Sequence, residues 1–223
     1  MIKQVFNKKI PMKEAIIEWL TFTLKVLSES NRRSIWNSFL AFIPLVLSIW
    51  LVRRSLSRSW LWWLCLIIFI AFLPNAPYVL TDVIHPINFI RRGYGIWVVT
   101  LAIIPQYFLF ILAGFEAYVI SLINAGHYLK KQGLKRYIIL MEFVSHALCA
   151  VGIYLGRFER FNSWDFISQP ETLARSVVYD LANKIPALIM FITFAVLVVT
   201  YWVMKEITLA MTLRISQRKR LES

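Results

Sequence analysis

Residues 186–204, PALIMFITFAVLVVTYWVM, form an apolar stretch that contains no charged side chain. A helix over this stretch would be about 28 Å long at ~1.5 Å per residue, close to the ~30 Å thickness of a bilayer's hydrocarbon core. A stretch of this length and polarity predicts a transmembrane helix.

Four further apolar stretches accompany it along the chain: Trp36–Val52, Trp60–Leu73 (continuing to Leu80 through a break), Ile96–Asn124 and Tyr137–Gly156. Over all 223 residues, 59% are hydrophobic, only 17% are charged, and the mean hydropathy is +0.62. These values exclude an ordinary soluble domain and a disordered chain. We therefore predict an all-α, polytopic membrane helix bundle of five or six crossings.

The first 35 residues decide between five crossings and six. Over Ile10–Leu27 a helical wheel gathers apolar residues on one half, whereas Glu14 and Glu18 lie in a narrow polar arc, which favours an amphipathic helix in the membrane interface. The distribution of Lys and Arg instead favours a sixth crossing with both termini cytoplasmic. Residues 1–35 are thus a basic, amphipathic N-terminal segment, 36–204 the membrane bundle, and 205–223 a basic C-terminal tail.

The chain is strongly basic, with 25 Lys and Arg residues against 12 Asp and Glu residues and a net charge of +13. Most of these cations lie between apolar stretches, where they act as topology signals and contact lipid headgroups. We therefore expect the lipid bilayer as the partner and no nucleic acid. The two cysteines lie inside apolar stretches and indicate no disulfide framework.

The first polar motif is FLPNAPYVLTDVIH, residues 72–85, in which two prolines interrupt a membrane helix. Asn75 lies in the break and can satisfy part of its backbone. A following helix would align Tyr78, Asp82 and His85 on one face, where Asp82 and His85 could serve as metal ligands or a proton relay. In the alternative interpretation, Asp82 and His85 are loop residues that satisfy backbone groups.

The second polar motif is GIYLGRFERFNSWD, residues 152–165, at the end of another membrane helix. Arg157 is a candidate for pairing with Asp165 or Asp82, or for binding an anionic lipid or small-molecule ligand. With Arg157, the expected binding residues are Asn75 and Tyr78 of the first motif and Asn162 and Trp164 of the second. Arg157 and Trp164 could also simply anchor the helix end in the interface. Residues 168–171, SQPE, then predict the start of an interfacial helix in an outer loop.

The two segments LPNAPYVLTDVIH and GIYLGRFERFNSWD resemble the hallmark segments of a bacterial membrane-protein family catalogued as domain of unknown function 1361. The resemblance extends from about Trp36 to Met204. It implies a multi-helix integral protein of the bacterial cell membrane, and it brings no established activity, substrate, cofactor or catalytic residue. Because two crossings separate the two segments, we expect them on one membrane face, with Asp82 or His85 within ~10 Å of Arg157 or Asp165.

Three ionisable residues lie inside the apolar stretches: Glu116, Glu142 and His146. An ionised, unpaired carboxylate at that depth costs on the order of 3 kcal/mol or more, so both glutamates should face the protein interior. His146 lies one helical turn from Glu142 and is the expected partner. This polar site predicts either a proton or cation site, or a buried hydrogen-bond network that holds helices together.

Three functions remain open. The first is a small permease or an ion- or proton-coupled carrier that uses the intramembrane polar site. The second is an outer-leaflet membrane enzyme, of hydrolase or transferase type, with Asp82, His85 and Asp165 as catalytic candidates and Arg157 as the anion-binding group. The third is a structural or assembly factor. The sequence assigns no metal site, no cofactor and no oligomeric state.

Overall fold

The computed structural model describes residues 12–53, 58–162 and 164–221, and every regular element over these residues is helical. The seven longer helices are α1 (Met12–Arg53), α2 (Trp60–Phe72), α3 (Ile84–Arg91), α4 (Ile104–Lys131), α5 (Ile138–Tyr154), α6 (Pro170–Ala182) and α7 (Lys184–Leu221). Within these described ranges, five segments are long and apolar enough to cross a membrane: Ile35–Val52, Trp60–Arg91, Ile96–Lys131, Lys135–Glu159 and Lys184–Lys219. The predicted all-α, polytopic architecture is confirmed, with five crossings.

Helix α1 explains why the sixth crossing is not formed. It runs without interruption over 42 residues, so the helix expected near Ile10–Leu27 is present from Met12 and continues directly into the first crossing. Two successive crossings require a reversal of the chain between them, and residues 28–35 contain neither Gly nor Pro to end the helix. Residues 10 and 11 lie outside the described residues.

The chain divides into two compact units. The first, here the N-terminal unit, contains the described residues up to Phe39 and residues Val79–Ala113. Its core consists of buried side chains from α1 and from the residues around the start of the third crossing: Val26, Val98, Ile103 and Tyr107, flanked by Trp19, Leu27, Phe89 and Tyr94. Glu14 and Glu18 are exposed, and so are Ile16, Ile17 and Leu20, so the amphipathic placement of this helix in the interface stays a prediction.

The second unit, here the helix-bundle unit, contains Leu40–Tyr78 and the described residues from Gly114 onward. Helix α5 packs along α7, and α6 packs against α7. Helix α6 begins at Pro170, where the sequence predicts a helix start. Its residues Leu173 and Val177 contact a buried cluster of Tyr154, Leu155 and Met190.

The proline motif interrupts the second crossing as predicted. Helix α2 ends at Phe72, and the chain continues as one short helical turn over Asn75–Tyr78 and a 3₁₀ segment over Val79–Val83 before α3. The Asn75 side-chain amide donates to the Phe72 carbonyl oxygen at 3.1 Å. The helical donor of this carbonyl, the Ala76 N–H, bonds the Leu73 carbonyl oxygen instead at 3.2 Å, so the Phe72 carbonyl has a side-chain partner at the break.

The two motif segments pack against each other inside the helix-bundle unit. An added Cβ at Gly152 would lie 2.8 Å from Cβ and 2.9 Å from Cγ of Pro74, and one at Gly156 would lie 3.3 Å from the Tyr78 ring. Only glycine allows the broken helix to approach α5 this closely. The expectation that the two segments meet is confirmed for these four residues.

Gly152→Ala should destabilise the protein by about 1–3 kcal/mol, because the new methyl group overlaps a rigid proline ring and this overpacking outweighs the ~1 kcal/mol gain in helix propensity. Thermal unfolding in detergent measures the effect. The matched control is Gly126→Ala in α4, where the added Cβ meets Ile138 at an ordinary 3.4 Å and only the propensity gain should remain. Equal melting temperatures for the two variants would contradict the close approach.

Five crossings also predict the accessibility of single cysteines in a background that lacks Cys65 and Cys149. Cysteines at Glu14, Arg92 and Glu171 should react with a membrane-impermeant maleimide from one side, because two crossings separate each from the next. A cysteine at Gln132 should react from the opposite side. A sixth crossing would instead bury position 14 and leave it unreactive.

Candidate functional site

Helices α4, α5 and α7 of the helix-bundle unit bring seven polar side chains together within membrane-spanning segments. We call them the intramembrane polar cluster: Glu116, Tyr118, Glu142, His146, Tyr201, Lys205 and Thr208. All three ionisable residues that the sequence singles out belong to it.

An ion pair between α5 and α7 forms the centre of the cluster. The Lys205 ammonium donates to Oε1 of Glu142 at 2.5 Å, and the Tyr201 hydroxyl donates to the same oxygen at 2.8 Å. The side chains of Glu142 and Lys205 are only 13% and 24% exposed. Because the two charges cancel within one contact, neither Glu142 nor Lys205 presents a lone charge to the hydrocarbon.

A hydrogen-bonded histidine lies beside this ion pair. The Tyr118 hydroxyl is 2.6 Å from Nδ1 of His146, a hydrogen bond whose direction is set by the histidine tautomer. Both side chains are buried. The His146 ring also meets the Tyr201 ring edge-on, with 4.7 Å between the centroids. His146 therefore lies next to a residue that binds Glu142 while making its own hydrogen bond to α4.

Glu116 reaches α7 one helical turn further along. The Thr208 hydroxyl lies 2.7 Å from Oε1 of Glu116 and 2.8 Å from the Met204 carbonyl oxygen, so the two acceptors share its one proton. Thr208 follows Lys205 by three residues, which places both on neighbouring turns of one helix face. The face of α7 that binds Glu142 of α5 through Lys205 therefore also binds Glu116 of α4 through Thr208.

The partner of Glu142 differs from the one expected from the sequence. His146 is one turn away in the same helix, yet it bonds Tyr118, and Glu142 is bound from α7 instead. The residues 205–223 that the sequence describes as a tail continue α7 to Leu221, which is why Lys205 can reach Glu142. The spacing of Tyr201, Lys205 and Thr208, at four and three residues, is the sequence signal for this face.

In the N-terminal unit, Asp82 and His85 are brought together as the first motif predicts. Nε2 of His85 lies 3.4 Å from Oδ1 of Asp82, whose side chain is almost fully buried. The other carboxylate oxygen accepts a hydrogen bond from the Asn37 side-chain amide at 3.0 Å. The His85 ring packs on Tyr107. Sequence reasoning did not identify Asn37, because it belongs to a distant part of the chain.

In the second motif, Asp165 is engaged by its own loop. One carboxylate oxygen accepts the Asn162 backbone N–H at 2.6 Å, and the other accepts the Ser168 hydroxyl at 3.2 Å. Arg157 is half-buried in a π-helical turn over Leu155–Glu159, and Trp164 is exposed. The proximity of Asp82 or His85 to Arg157 or Asp165 stays a prediction.

Two further observations concern ligands. Over the described ranges, no group of three or more His, Cys, Asp and Glu side chains is arranged to share a metal ion. Tyr78, expected at a binding surface, packs its ring against Gly156.

Five apolar crossings that enclose paired ionisable groups define a polytopic integral membrane protein. The chain belongs to the family described as "Protein of unknown function (DUF1361)", whose model matches residues 36–199 and so includes both motifs. Neither a curated protein nor a solved structure matches the chain.

Glu142→Leu should destabilise the protein by about 2–3 kcal/mol, because it leaves Lys205 without its counter-charge and Tyr201 without its acceptor. Chemical or thermal unfolding in detergent measures the loss. The double variant Glu142→Leu/Lys205→Met should recover a large part of it, since it removes both charges. Strictly additive losses in the double variant would contradict a direct ion pair.

Proposed function

We propose that this protein is a small proton-coupled carrier of the bacterial cell membrane, in which the ion pair between Glu142 and Lys205 is the coupling site. The observation that carries the proposal is this pair itself, since a carboxylate and an ammonium within membrane-spanning helices are costly to maintain and typically mark ion pathways. A purely structural contact between α5 and α7 could be made by apolar residues at lower cost.

Proton binding at Glu142 would change the charge balance of the α5–α7 contact. A proton on the carboxylate ends its attraction to Lys205, which keeps its charge and then needs another acceptor. Glu116 lies one turn along the same face of α7, bound to Thr208, and supplies the second carboxylate. We propose that Lys205 exchanges between the two carboxylates as the proton enters and leaves.

The histidine beside the pair supports the same interpretation. His146 and Tyr118 share a short hydrogen bond, and both carry an exchangeable proton. The His146 ring contacts the ring of Tyr201, so the histidine lies next to the residue that donates to Glu142. The cluster thus combines a proton-binding carboxylate with neighbouring groups able to take up or deliver its proton.

Proton flux into vesicles tests the proposal. We expect purified protein in vesicles that enclose a pH-sensitive dye to acidify the lumen when a K⁺ diffusion potential, negative inside, is imposed, and Glu142→Gln to abolish this flux. The amide keeps the shape of the carboxylate and one hydrogen-bond acceptor, so the variant should still fold. The matched control is Glu206→Gln, the same change at an exposed residue directly after Lys205, which should leave the flux unchanged.

Equal flux through the wild-type protein and Glu142→Gln would contradict the carrier. If both stay silent when a bacterial metabolite extract is also supplied outside the vesicles, while Glu142→Leu is destabilised, the cluster acts as a structural contact and the protein as a structural or assembly factor.

A membrane enzyme is the second candidate function, and the pairing of Asp82 with His85 favours it. Oδ1 of Asp82 accepts no hydrogen bond from the described residues, although His85 lies 3.4 Å away. A buried carboxylate facing a histidine is an arrangement suited to general acid–base chemistry. This function predicts a product from a labelled lipid extract on thin-layer chromatography, which disappears in Asp82→Asn and persists in Glu142→Gln.

A further inference from the structure

A cleft of about 320 Å³ lies between helices of the helix-bundle unit, outside the polar cluster. All of its lining residues belong to membrane-spanning segments, and they come from the end of α1, from α2 and from the facing sides of α4 and α5. Along α2 and the first residues of the break after it, the lining extends from Trp62 to Pro74, which is about 18 Å at ~1.5 Å per residue. The cleft is therefore long and narrow and runs along the helix axes.

The chemistry of the lining is that of a hydrocarbon binding site. Most of its side chains are aliphatic or aromatic, and two of its hydroxyls are already engaged, because Ser48 bonds the Leu45 carbonyl and Ser145 bonds the Met141 sulfur. An apolar space without free polar partners does not hold water. Val144 and Leu148 line the cleft and are each about half exposed, at 49% and 52%. A chain from the surrounding bilayer can therefore enter from the side.

An arginine is fixed at one end of the cleft. Arg58, two residues before α2, donates from Nε to the Tyr128 hydroxyl at 3.3 Å and from a terminal nitrogen to the Gln132 side-chain oxygen at 3.2 Å. Tyr128 itself lines the cleft, next to Trp62. Arg58 is exposed and lies just outside the membrane-spanning segment that starts at Trp60.

From this arrangement we infer that the cleft binds one acyl chain of an anionic phospholipid, with the lipid phosphate at Arg58. Two of the five guanidinium N–H donors hold the side chain in place, which leaves three to donate to a phosphate group at the membrane surface. A zwitterionic lipid offers the same chain and the same phosphate, but a cationic headgroup cancels its net charge and weakens its attraction to the arginine. This inference does not depend on the proposed transport of protons.

Native mass spectrometry of the purified protein tests the lipid site. It compares two lipids of identical chains, palmitoyl-oleoyl phosphatidylglycerol and palmitoyl-oleoyl phosphatidylcholine. The wild-type protein should retain one phosphatidylglycerol at lower lipid concentration than phosphatidylcholine. Arg58→Gln should weaken phosphatidylglycerol binding by about tenfold, the effect of one charge-assisted contact, and weaken phosphatidylcholine binding by less, because its phosphate is balanced by the choline charge. The matched control is Arg136→Gln, another exposed arginine, which should bind as the wild type does.

A second variant tests the acyl-chain part of the site. Ala125→Phe in α4 fills the cleft and should remove binding of both lipids, whereas Ala113→Phe, an exposed alanine of the same helix outside the cleft, should not. If Ala125→Phe fails to fold, Leu66→Trp blocks the same space from α2. Equal binding of the two lipids by the wild type, equal losses in Arg58→Gln and Arg136→Gln, or unchanged binding in a folded cleft-filling variant would each overturn the inference.

Discussion

A polar group within the hydrocarbon core must find its partner inside the protein, and this constraint shapes the structure at every level. It makes each crossing helical, because a helix satisfies its own backbone. It explains why the Asn75 amide bonds the Phe72 carbonyl at the proline break, and why Asn124 donates to the Ser48 hydroxyl between two crossings. The same constraint brings Lys205 to Glu142.

Helix α5 connects the main features of the helix-bundle unit. One end carries Gly152, which contacts the proline break of the second crossing, and Glu142 lies ten residues earlier, about 15 Å along the axis. Other residues of the same helix line the apolar cleft. The change in the α5–α7 contact that is proposed for proton binding at Glu142 would therefore act on the same helix that contacts the proline break and lines the cleft.

The residues of the candidate site were partly predictable. Glu116, Glu142 and His146 stand out because an ionisable residue in an apolar stretch is rare and expensive, whatever the fold. Their partners were not predictable in the same way. Tyr118, Tyr201 and Thr208 are common residues in membrane helices, and Lys205 directly follows an uncharged stretch, where it looks like a topology signal. Helical spacing suggested His146 of the same helix as the partner of Glu142, whereas the ion pair that Glu142 forms is with Lys205 of α7.

The sequence by itself determined the class of the protein, its five certain crossings, the break at Pro74 and the family, because length, polarity and proline chemistry act locally along the chain. Only the tertiary structure decided that Met12–Arg53 is one continuous helix, that Pro74 packs on Gly152, and that Lys205 neutralises Glu142. These outcomes depend on which helices become neighbours. That choice is set by packing between residues far apart in sequence, which no local pattern records.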